Sequence, residues 1–131
     1  MNVSRRAALV GTALAASIAL APAASASGGG GGGAQVNGMC TGSSSSTLKA
    51  KPGNGRLEVE FEVDSNRVGQ KWSVRLADNG TQFFAGTRTT MAPSGSFEVR
   101  KFTANRPGAD RIVARATNSA TGEVCRASLT V

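Results

Sequence analysis

From residue 57 to residue 63 the chain reads Leu-Glu-Val-Glu-Phe-Glu-Val, with apolar and acidic side chains in strict alternation. Successive side chains of an extended strand point to opposite faces. The stretch therefore predicts a half-buried β-strand with Leu57, Val59, Phe61 and Val63 inward and Glu58, Glu60 and Glu62 outward. The same period of two recurs between turn signals at roughly ten-residue spacing. Trp72, Val74 and Leu76 alternate with Lys71, Ser73 and Arg75, and Asp78-Asn79-Gly80 follows with residues that tolerate positive φ in a hairpin turn. Residues 81–90 return as a less regular strand. Its adjacent Phe83 and Phe84 cannot both face inward in a regular strand, and an edge twist or a covering loop is expected to shelter the second ring.

After Pro93 and Gly95, Phe97 and Val99 take one face and Glu98 and Arg100 the other. Lys101 and Phe102 break the alternation and predict a bulge or strand end. Ile112, Ala114 and Ala116 then point inward against Arg111, Val113 and Arg115. Beyond a turn at 118–122, Cys125, Ala127, Leu129 and Val131 share the inner face while Arg126 lies outside. Cys40 and Leu48 have the same parity in the first strand. The pattern describes one all-β domain over residues 40–131, a sandwich of about seven strands.

The start of the chain is organised differently. Arg5 and Arg6 precede an apolar run from Ala7 to Ala21, shorter than the ~18 residues that span a bilayer. Ala24-Ser25-Ala26 then offers a small-x-small cleavage pattern. Residues 1–26 are expected to be a signal peptide removed after Ala26, giving a secreted, extracellular protein without a transmembrane anchor. The arginine pair also fits a twin-arginine signal, but Ala7 and Ala8 stand where that signal carries a large apolar residue, which favours the general secretion route. Cys40 lies beyond the apolar run and follows Met39 rather than a small residue, which argues against lipidation. Gly28 to Gly33 can bury nothing, and residues 27–39 are expected to form a flexible tether.

An even cysteine count in an exported chain reads as a disulfide, and with two cysteines only Cys40–Cys125 exists. It would close nearly the whole domain into one loop, worth about 4–5 kcal/mol on chain-entropy grounds. A domain of this size buries only about 60–65% of its unfolded surface, so such a tie is a sensible supplement.

The run Asp110-Arg-Ile-Val-Ala-Arg-Ala-Thr-Asn118 resembles the F-strand segment of immunoglobulin-like domains, and Trp72 stands where those domains keep a core tryptophan on strand C. The chain has no tyrosine for the usual corner, Ala114 replaces the F-strand cysteine, and Val59 or Phe61 replaces its partner. The resemblance thus implies an immunoglobulin-like sandwich whose disulfide has moved to the first and last strands. Residues 40–131 are also similar to small secreted proteins of actinobacteria that share the Cys-Thr-Gly-Ser start, the Glu-Val-Glu-Phe-Glu-Val strand, Trp-Ser-Val, Pro-Ser-Gly-Ser-Phe and a closing Thr-Gly-Glu-Val-Cys. That similarity implies export and the fold, and carries no activity.

Candidate chemistry is sparse. There is no histidine and no tyrosine, and the cysteines are taken up by the bridge. Glu58, Glu60 and Glu62, about 7 Å apart along one face, have a spacing an inverting glycosidase could use, but on an open sheet face beside cations such as Arg100 they are expected to be solvated surface. Asp64, Asp78 and Asp110 fall in or beside turns without a calcium-loop spacing, and turn formation is their expected role. Catalysis, a bound metal and a cofactor are therefore not expected.

Charge is the more informative property. Removing Arg5 and Arg6 with the leader leaves thirteen basic against eight acidic side chains, a net charge of +5. If strands C, F and G share a sheet, as the resemblance implies, Lys71, Arg75, Arg111, Arg115 and Arg126 gather on one face and the three glutamates on the other. Such a face suits an anionic cell-wall polymer, an acidic polysaccharide or phospholipid headgroups. Specific nucleic-acid binding is not expected, because the face lacks aromatic rings on which bases could stack. The expected molecule is a monomeric, non-catalytic binding or interaction module for such a polymer or for another protein. The alternative is a secreted protease inhibitor or small-molecule carrier that uses the loop carrying Met91 or a pocket between the sheets.

Overall fold

The computed structural model describes residues 32–131. The expected signal peptide and most of the glycine run lie outside the described residues. Nine strands follow: β1 (Ala34–Asn37), β2 (Met39–Cys40), β3 (Ser45–Gly53), β4 (Arg56–Asp64), β5 (Lys71–Asp78), β6 (Thr81–Thr89), β7 (Ser96–Ala104), β8 (Arg111–Asn118) and β9 (Val124–Thr130). They form a four-stranded sheet in the order β1-β3-β4-β7 and a five-stranded sheet in the order β2-β9-β8-β5-β6. All pairings are antiparallel. The strands β3 to β9 are the seven expected from the alternation. β3–β4, β5–β6 and β8–β9 are hairpins within a sheet, while the links after β4, β6 and β7 cross between sheets, the connectivity of an immunoglobulin-like sandwich.

The inward residues pack as the alternation requires. Leu57, Val59, Phe61 and Val63 of β4, Trp72, Val74 and Leu76 of β5, and Ile112, Ala114 and Ala116 of β8 are all fully buried. Small residues on β8 face large ones on β5: Ala114 lies opposite Leu76 and Ala116 opposite Val74. The fully buried Trp72 ring meets Phe97 of the other sheet at 6.2 Å in a tilted arrangement.

Three expectations need correction. First, residues 34–39 are not tether: β1 and Met39 of β2 are strand, and the chain passes between the sheets at Gly38. A Cβ there would lie 2.7 Å from the Arg126 carbonyl oxygen, so glycine is needed for the close approach. Alternating Ala34 and Val36 pack against the core and give this short segment apolar area to bury. Second, Cys40 lies on the short crossing strand and directly opposes Cys125 within one sheet, with Cα atoms 4.0 Å apart. The expected bridge between an early strand and the last one is present, and it pins the crossing strand to β9 within one sheet. Third, β7 continues in register to Ala104 without a bulge. Lys101 keeps inward parity because β7 is an edge strand, where a long side chain can reach outward past the Phe84 ring, 5.0 Å from its ammonium. Phe102 lies outward beneath the Arg56 guanidinium, 4.3 Å away. The irregularity falls instead in the β5–β6 ladder at Leu76/Ala77, where Phe83 is left unpaired and both adjacent rings become half-buried.

A pair of acids closes one end of the sandwich. Asp78 and Asp110 are buried, each with one carboxyl oxygen that lacks a hydrogen-bond partner. The Thr103 hydroxyl donates to the other Asp78 oxygen at 3.2 Å. Burial first, and the neighbouring Asp110 carboxyl second, push the Asp78 carboxyl above its usual range, against the pull of Thr103 and Arg106.

Two predictions follow from this core. Replacing Cys40 and Cys125 together by alanine frees a loop of 85 residues in separation. The unfolding free energy from urea titration is expected to fall by about 4–5 kcal/mol, and a loss under about 1 kcal/mol would contradict the tie's role. A group with a raised native pKa contributes stability below its unfolded value that is lost as pH climbs through the native one. Asp78→Asn is therefore expected to match wild type in acid, below the usual carboxylate value of 3.8, and to exceed it in thermal stability at neutral pH. A difference independent of pH would be the contrary result.

Candidate functional site

The antiparallel register assembles the site. Arg75 on β5 lies directly opposite Arg115 on β8, Arg115 opposite Arg126 on β9, and Arg126 opposite Met39 on β2. The three arginines are exposed and form one row across three strands, with neighbouring Cβ atoms about 5 Å apart. Lys71 and Arg111 flank this row. Because β5 and β8 run antiparallel, Lys71 lies toward one end of the sheet and Arg111 toward the other, each four residues, or about 13 Å, from the row. Of the five sequence-predicted cations, three come together and two stand at either end.

The outward positions of β5, β8 and β9 carry no acid. They are Lys71, Ser73, Arg75 and Ala77; Arg111, Val113, Arg115 and Thr117; and Val124, Arg126, Ser128 and Thr130. Glu123, three residues before Arg126, accepts hydrogen bonds from the Ser44 backbone N–H and hydroxyl. The ion pairs among the described residues all belong to Arg100 on the other sheet, which binds Glu58, Glu60 and Glu98.

That opposite face departs from the expectation of an acidic surface. Lys49 lies opposite Glu60 and Lys51 opposite Glu58, with Arg100 beyond Glu60 on the next strand. Cations interleave with the glutamates and nearly neutralise them, since like charges directly opposite one another on a sheet are unfavourable. The molecule has one basic face and one balanced face. Glu58, Glu60 and Glu62 lie in the balanced ladder.

Beside the arginine row lie features that the alternation alone does not single out. Ser73, Arg75, Arg115 and Thr117 line a depression of about 220 Å³. Ser73 directly opposes Thr117, one row along from the Arg75–Arg115 pair. The signal was available only through register: two residues before Arg75 must oppose two residues after Arg115 once those arginines are paired. Toward β2 a groove of about 720 Å³ is lined by Met39, Val113 and Val124 together with Arg111 and Arg126.

The remaining candidates fall elsewhere. Met91 is exposed in a tight turn in which the Gly95 N–H donates to the Met91 carbonyl at 2.8 Å. The space between the sheets is filled by the buried residues of both. Asp64 accepts from the Asn66 N–H at 2.9 Å, the turn role expected of it. Among the described residues no three His, Cys, Asp or Glu side chains are grouped so as to hold a metal ion, and no helix is long and apolar enough to cross a membrane. Comparison with protein-family models and with curated proteins finds no match for the chain.

Three guanidiniums in direct succession repel one another. Arg115→Thr, which removes the middle charge and keeps a strand-favouring side chain, is expected to raise stability by roughly 0.5–1 kcal/mol at low ionic strength. The gain should vanish at about 1 M salt, where the screening length shrinks to about 3 Å. Equal gains at both ionic strengths, measured by thermal unfolding, would mean that charge repulsion is not the cause.

Proposed function

We propose that this protein is a secreted, non-catalytic binding module, acting as a monomer, whose basic sheet face contacts an anionic polymer of the cell envelope. The observation that carries this reading is the Arg75–Arg115–Arg126 row, three like charges aligned by register with no acid among the outward positions of their strands. A soluble surface gains nothing from that alignment, and the opposite sheet of the same molecule sets Lys49, Lys51 and Arg100 against Glu58 and Glu60, leaving Glu62 and Glu98 as its one directly opposed like-charge pair among the described residues. A bound polyanion supplies the missing charge and releases counterions as it does so.

The compartment supports the same reading. The Cys40–Cys125 bridge is of the kind that forms and persists in oxidising surroundings, where envelope polymers are also found. Nucleic acid is a poorer candidate, because Phe102, the well-exposed aromatic ring of the described residues, belongs to the opposite sheet.

The test is binding of the mature protein to a soluble anionic polymer across a salt series. Affinity is expected to fall steeply with salt, with a log–log slope of roughly −2 to −3 if about three phosphate-like contacts form. Neutralising Arg75, Arg115 and Arg126 to glutamine should weaken binding by on the order of 100-fold and flatten the slope. Binding that is unaffected by salt and by the triple substitution would overturn the proposal.

A further inference from the structure

The arginine row explains attraction to an anion and leaves open which anion. The depression between β5 and β8 is more selective. Its four lining side chains form a quadrilateral: Arg75 opposite Arg115 on one side, Ser73 opposite Thr117 on the other. Adjacent rows of a sheet that project to the same face are about 7 Å apart along the strand, and opposed Cβ atoms are about 5 Å apart across it. Two guanidinium forks and two hydroxyls therefore surround one small basin, and no carboxylate enters it.

The shapes of the candidate anions differ in a way this arrangement can read. A carboxylate holds both oxygens and all their lone pairs in one plane, so a single guanidinium satisfies it edge to edge. The basin carries two hydroxyls close to the sheet on short side chains and two guanidiniums on long ones, so it offers donors at more than one height above the sheet. A phosphate ester presents oxygens tetrahedrally and accepts from both guanidiniums and from the hydroxyls together. We propose that the Ser73–Arg75–Arg115–Thr117 basin is a seat for a phosphodiester group of a polymer backbone, such as a poly(glycerol phosphate) chain.

A polymer is favoured over a membrane surface because the cations continue beyond the basin. Arg126 extends the row on one side, and Lys71 and Arg111 lie toward opposite ends of the sheet, so neighbouring phosphates of the same chain meet further charges. This inference rests on the reading of the face as an anion-binding surface and adds the identity of the group bound.

The experiment compares poly(glycerol phosphate) with polyglutamate of matched charge, using wild type and the Ser73→Ala/Thr117→Val double variant. The variant keeps every charge, and its thermal unfolding checks that it folds. Wild type is expected to prefer the phosphate polymer by about 10-fold, the scale of one or two hydrogen bonds to a charged acceptor. The double variant should lose that preference while binding polyglutamate as wild type does. If wild type binds both polymers equally, the phosphodiester seat is wrong and the anion-binding face stands. If it binds neither, both fail. Tighter binding to phosphatidylglycerol vesicles than to the phosphate polymer would overturn the choice of a polymer.

Discussion

The register of the β9-β8-β5 ladder is the constraint on which the rest of the molecule depends. A strand alternates its faces with a period of two, so a slip of one residue would send Ala114 and Ala116 to solvent and Arg115 into the core. Burying an unpaired guanidinium costs far more than any single contact could return, which excludes a one-residue slip. The ladder that buries Ile112, Ala114 and Ala116 also sets Arg75, Arg115 and Arg126 in one row. The core holds the three charges together whether or not they favour one another. The Cys40–Cys125 bridge anchors the outer edge of this ladder by tying β9 to the short strand that carries the chain in from the other sheet.

The two sheets handle charge in opposite ways on one scaffold. On the four-stranded sheet Lys51 and Lys49 oppose Glu58 and Glu60, Arg100 is shared among three glutamates, and Glu62 faces Glu98 as the exception. On the five-stranded sheet the cations are left without acidic neighbours, with hydroxyls beside them rather than carboxylates.

Much of this was legible in the chain. Strict alternation in β4, β5 and β8 gave the strands and their inward residues directly, and Asp78-Asn79-Gly80 marked its hairpin. What alternation does not encode is where a short strand changes sheets, so β1 and β2 were hidden behind the glycine run. It also does not encode edges, where Lys101 can occupy an inward position because its ammonium escapes past Phe84. Charge membership of a face was readable from parity alone. The row itself, its pairing with Ser73 and Thr117, and the neutralisation of Glu58 and Glu60 by Lys51, Lys49 and Arg100 all depend on which residues lie opposite, and register is a property of two strands rather than one.

Where a polyanion touches the isotopically labelled protein can be mapped from NMR shifts of backbone amides and arginine Nε–H groups. The perturbations are expected to concentrate on β5, β8 and β9, with the Nε–H signals of Arg75, Arg115 and Arg126 moving together and the resonances of β3, β4 and β7 unchanged. Perturbations centred on Lys49, Lys51 and Arg100, or spread evenly over every exposed cation, would contradict binding through the basic face.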